Sequence, residues 1–152
     1  MVRPPSGYAS CVPYARALSG IALSGDARTW WTAASGLYHR DSVPAPGSVL
    51  VFPAHGRMRG GHLSVVTRVV GPREIRVAHA NWASGRNKGR IATDQAVVDV
   101  SARNDWTRVR VWYPPTASLG ITVWPTYGFI HPSQMTTEAE IAARMPAVAA
   151  SL

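Results

Sequence analysis

The chain has 152 residues, 46% of them hydrophobic, which suits a single domain able to bury its own core. Its one cysteine excludes an internal disulfide framework and a cysteine-based zinc site, and no apolar run approaches the ~20 residues of a membrane helix. A formal charge of +8 and a sequence pI near 10.8 point to anionic surroundings, such as nucleic acid, anionic lipid or the acidic polymer of a bacterial cell wall.

Residues 1–7 read as a loose lead, and MVRPPSGYASC has no apolar core of a signal peptide. From Cys11 to Leu23, Val12, Ala15, Leu18, Ala22 and Leu23 follow a helical period. Pro13 is tolerated only in a first turn, which sets the helix start near residues 10–12 with Ser10 as N-cap. A second helix is expected from Asp26 to Ser35, stopped by Gly36. LYHRDSVPAPG reads as a loop, and SVLVFP (48–53) as a short buried strand. Strands 61–70 and 74–82 flank Gly71-Pro72-Arg73 as a hairpin. Further strands are expected at 96–101 and 107–113, and a last hairpin at 120–124 and 127–130. After Pro132 the composition is helical, and residues 133–152 are expected to form a peripheral or frayed tail on a domain spanning 1–132. The order, two helices and then about six mostly antiparallel strands, implies an α+β domain with its helices on one face of a sheet.

Cys11 is inert packing, an attachment point or a nucleophile. Its place at a helix start favours chemistry, because free backbone N–H groups there stabilise a thiolate and can receive an oxyanion. Of the five histidines, His39, His55 and His131 fall in loops or turns and read as surface residues. His62 opens a strand directly after Gly60-Gly61. His79 and Asn81 are two apart on the next strand and share a face. The hairpin brings His62 near that pair, but the register that decides between His79 and Asn81 is open. A thiol on a helix start, a histidine on one strand and a polar residue on the next are the parts of a cysteine hydrolase. A metal site lacks tight histidine spacing and a well-placed carboxylate, so no metal or other cofactor is expected.

CVPYARALSGI, GDARTWW, GLYHR, PAPGSVLVF, GGHLSVV, HANW and YGFI, in that order, resemble the CHAP family of cysteine, histidine-dependent amidohydrolases/peptidases. The resemblance runs from about Tyr8 to Pro132. It implies a papain-like, NlpC-type α+β fold, with N-terminal helices carrying the cysteine packed on an antiparallel sheet. It implies Cys11 as nucleophile and His62 as base. The family's Glu-x-Asn segment is His79-Ala80-Asn81 here, so a histidine stands where a glutamate is usual, and the family's frequent glutamine before the cysteine is Ser10. The implied activity is cleavage of amide bonds in peptidoglycan, as an N-acetylmuramoyl-L-alanine amidase or an endopeptidase, through a thioester and a thiolate–imidazolium pair. Trp82 and Tyr8 are assigned to the substrate groove. The implied partner is peptidoglycan or its peptide fragments, with no nucleic acid and no membrane span. A periplasmic or extracellular location follows from that substrate, with a cytoplasmic one left open. Two competing readings are a cytoplasmic amidase acting on a small thiol or polyamine conjugate, and a non-catalytic basic module holding an anionic polymer.

Overall fold

The computed structural model describes residues 10–83 and 88–152. Helix α1 (Cys11–Ser19) starts where Pro13 requires, and Gly20 ends it in the left-handed conformation, its N–H bonded to the Arg16 carbonyl at 2.9 Å. A 3₁₀ turn (Ala27–Thr29) and a short α2 (Trp30–Ala33) occupy the expected second helix. Nine strands follow among the described residues: β1 (Arg40–Asp41), β2 (Val49–Phe52), β3 (His62–Gly71), β4 (Glu74–Ala80), β5 (Ile91–Asp99), β6 (Arg108–Tyr113), β7 (Ser118–Leu119), β8 (Trp124–Pro125) and β9 (Gly128–Ile130). They form one antiparallel sheet in the order β1-β9-β2-β3-β4-β5-β6-β7, with β8 also paired to β6. The class is therefore α+β, with nine strands rather than about six.

Alternation along β2 explains its place at the centre. Val49 and Val51 face one core cluster, and Leu50 and Phe52 face another. The first cluster packs the sheet against Tyr14, Ala15 and Leu18 of α1. A fully buried leucine or valine in this cluster, such as Leu18 or Val49, contributes roughly 1.5–3 kcal/mol. The second takes residues from β2 to β6 and β9 plus Trp106, with no helical residue, so the sheet curls over its own second face.

One expectation is corrected here. The segments 120–124 and 127–130 do not pair as a hairpin: β8 bonds to β6, whereas β9 runs between β1 and β2. Pro125 lacks an N–H, and the next donors go elsewhere, Thr126 to the Thr107 carbonyl and Tyr127 to that of Val51. The C-terminal segment forms a helix, α3 (Glu138–Ser151), mostly exposed and started by a Thr137–Glu140 capping box. Ile141 is fully buried, and Arg144 reaches the Leu18 carbonyl at the end of α1.

In this topology the β2–β3, β4–β5 and β6–β7 connections leave the sheet at the same end. That is the end at which β3 begins with His62.

Candidate active site

A cleft of ≈ 920 Å³ opens at this end, lined by Cys11 and His62 together with Gly60, Gly61, Asn81, Trp82 and residues from the segment 111–124. Gly61 fixes the entry to β3. Its φ is +75°, and a side-chain carbon there would lie 2.5 Å from the Phe52 carbonyl and 2.8 Å from the Arg28 nitrogen. Only glycine fits that approach. The neighbouring Gly60 carbonyl accepts the Arg28 N–H at 2.8 Å, so the histidine is carried on a loop tied to the helical layer.

Cys11 is half-buried at the start of α1. Ser10 occupies the N-cap position but makes no side-chain cap bond, and Pro13 has no N–H. The free donors turn to the thiol instead: the backbone N–H groups of Leu63, Cys11 and Val12 all favour its anion. Burial nevertheless dominates and pushes the thiol up from its ordinary value, with a smaller push from the Asp26 carboxylate. The Leu63 contact also places the sulfur beside the start of β3.

His62 and His79 are 3% and 1% exposed. Register resolves what the sequence left open. Val65 pairs with Ala78, so Ser64 faces His79 directly and His62 lies on the diagonal. His62 Nε2 sits 3.1 Å from His79 Nδ1, and Ser64 Oγ sits 2.8 Å from the same nitrogen. His79 Nε2 is buried with no hydrogen-bond partner among the described residues. Burial holds both rings neutral. His79 falls to about 3, and His62 lies well below the usual histidine range, lowered further by its neighbour His79.

Burial of each group favours its neutral form, and at the thiol the backbone donors work against it.

Trp82 packs on both histidines, with ring centroids 4.8 Å from His62 and 5.6 Å, nearly parallel, from His79. It also meets Trp124 at 5.1 Å, and both tryptophans line the cleft. Asn81 lines the cleft as well. Its Oδ1 accepts the Gly89 N–H at 2.7 Å, and its own N–H donates to the Arg90 carbonyl, which joins the end of β4 to the residues that lead into β5. Tyr8 lies outside the described residues. Sequence reasoning missed Ser64, although its place two residues after His62 on a strand put it on the same face.

A family profile described as CHAP domain matches residues 3–81, just over half of the chain and all of the segment from the cysteine through His79. No curated protein matches the sequence.

Proposed function

The chain belongs to the CHAP domain family, and on that premise we propose that it is a cysteine hydrolase that cleaves amide bonds of bacterial peptidoglycan. The observation that carries this reading is Cys11 and His62 lining one cleft, with His62 Nε2 at 3.1 Å from His79 Nδ1. A helix-borne cysteine against a sheet-borne histidine supports the papain-like, NlpC-type arrangement.

In this reading His62 Nδ1 takes the proton from Cys11 as the sulfur attacks the amide carbonyl. The backbone N–H groups at the start of α1 receive the oxyanion. Collapse of the tetrahedral adduct breaks the C–N bond, and the His62 proton leaves on the amine. A water then gives a proton to His62 and its hydroxide adds to the thioester. The C–S bond breaks, the product leaves as a carboxylic acid, and His62 returns the proton to sulfur. His79 accepts from His62 Nε2–H throughout and fixes the base's tautomer. Trp82 walls the pair and lines the groove, and Asn81 holds the loop beside it.

The test is to digest purified peptidoglycan with the wild type and with Cys11→Ala and to identify the fragments by mass spectrometry. Wild type should release fragments that Cys11→Ala does not, with a loss of about 10⁴-fold or more. The new termini distinguish an N-acetylmuramoyl-L-alanine amidase from an endopeptidase. Equal release by both proteins, or none by wild type across several wall types, overturns the reading.

A further inference from the structure

We propose that Arg57 and Lys88, which line the cleft together with His62, form an anion subsite that takes the free carboxylate of an acidic wall peptide. This rests on the hydrolase reading and names the chemistry of its substrate.

The cleft lining has one sign of charge. Arg57 and Lys88 line it, and none of the chain's eight acidic residues does. The acids are engaged elsewhere. Glu74, Asp94 and Asp99 pair with arginines along the sheet, and Asp41 bonds His39 and His131. Asp26, close enough to raise the Cys11 thiol, is paired with Arg28 at 3.4 Å. Neither Arg57 nor Lys88 has an ion-pair partner among the described residues. Residues 1–9 and 84–87 contain no acid that could supply one.

Both cations stand on anchored backbone. Arg57 is one of two residues in a tight turn closed by reciprocal His55–Met58 bonds, both 3.0 Å. The His55 ring meets Trp124 edge-on at 5.7 Å, and Met58 packs into the second core cluster. Lys88 precedes Gly89, whose N–H is held by Asn81. The turn leads into His62 four residues later, and the Lys88 loop leaves β4 just past His79. An anionic group held between these loops lies next to the reacting carbonyl. Cations in a walled cleft act on it more strongly than on open surface. The rest of the wall, including Tyr113, Thr116, Ser118 and Thr122, is uncharged and offers hydroxyls.

The experiment uses two synthetic wall stem peptides that differ in one feature, free carboxylates in one and carboxamides in the other. Their affinities are measured by calorimetry on the full chain carrying Cys11→Ala, so the result does not depend on turnover. The acid peptide should bind about tenfold more tightly than the amide, as expected for one charge-assisted contact. Raising the salt to about 0.5 M should shrink the ratio. Adding Arg57→Gln and Lys88→Gln should bring the acid peptide's affinity down to that of the amide. Equal binding of the two peptides, or a preference that survives both substitutions, overturns the subsite. Turnover of the same peptides by the wild type tests the hydrolase reading separately, as a preference seen in KM rather than kcat. A protein that binds with the preference but cleaves neither peptide keeps the subsite and loses the catalytic reading.

Discussion

His62 and His79 lie with ring centroids 5.0 Å apart near the middle of the sheet, and His39 and His131 lie 5.4 Å apart at its β1–β9 edge. The first pair is dry and has Ser64 and Trp82 for company. The second shares a carboxylate: Asp41 Oδ2 bonds His39 Nε2 at 2.9 Å, and Oδ1 bonds His131 Nε2 at 2.7 Å. Partial burial would raise Asp41, but the Val43 N–H and the two rings hold it below the usual carboxylate range. Similar ring spacings therefore serve opposite ends. Without an acid, burial keeps the central rings neutral, as a base must be. With an acid, the edge rings clamp β1 to β9, helped by the His131 N–H to the His39 carbonyl at 2.8 Å. The difference lies in the third residue and the water around it.

The largest effect should separate the two pairs by function. His62→Ala is expected to lower kcat/KM by about 10³-fold or more, because the thiol loses its base. His131→Ala is expected to leave kcat unchanged and to lower the melting temperature by a few degrees, through loss of an edge contact. Fragment release and thermal unfolding measure the two. A rate loss in His131→Ala comparable to that in His62→Ala would break the comparison and bring the edge cluster into the mechanism.

Acid unfolding should sharpen it. His79 is lowered in the folded protein to about 3 from its ordinary 6.5. Between those values the unfolded chain binds a proton that the folded protein refuses, so stability falls as pH drops from about 6.5 toward 3. His62 acts in the same direction. Asp41 is also lowered, but from 3.8, so its contribution is present above that value and is lost only as pH falls below it. Melting temperatures across pH 7 to 3 should decline from the upper window onward. His79→Gln should flatten the slope of the upper part, and Asp41→Asn should flatten the slope only below about 3.8 while lowering the melting temperature above it. An upper slope untouched by His79→Gln would mean that the central pair is not held neutral by burial.

Legibility followed the same division between local and non-local causes. The helix start at Cys11, the strand opening at His62 and the hairpin at residues 71–73 are written in local signals: Pro13, Gly60-Gly61 and Gly71-Pro72. Strand β5 begins at Ile91, earlier than the expected 96–101, and Thr93, Asp94 and Gln95 put three polar residues in a row there, with Asp94 at a positive φ of 53°. Alternation is interrupted there, and pairing with β4 rather than pattern makes the strand. Pairing partners are likewise not local, so β8 and β9 read as one hairpin although they join different neighbours. The choice between His79 and Asn81 as the partner of His62 depended on a one-residue register, which the strand sequences alone do not fix. The upward push of burial on the Cys11 thiol is likewise non-local, and the helix-start argument does not contain it.

The smallest effect concerns Ser64, whose oxygen shares His79 Nδ1 with His62. A neutral imidazole carries one ring proton, and its position decides the state of the base. If it sits on His79 Nε2, Nδ1 accepts from His62, and His62 keeps its own Nδ1 open for the thiol. If it sits on Nδ1, that acceptor is lost. His79 Nε2 has no partner among the described residues to hold the proton there, so the first state needs another source of support. The Ser64 hydroxyl supplies it by donating to Nδ1, which favours the unprotonated nitrogen. A net hydrogen bond of about 1 kcal/mol corresponds to roughly fivefold at 1.4 kcal/mol per tenfold. Ser64→Ala should therefore lower kcat about fivefold with KM unchanged, and Ser64→Cys, a weaker donor of similar size, should fall between. Nitrogen NMR of the ring should show His79 gaining the Nδ1–H tautomer in Ser64→Ala. If rate and tautomer both stay as in the wild type, Ser64 merely fills the sheet opposite His79.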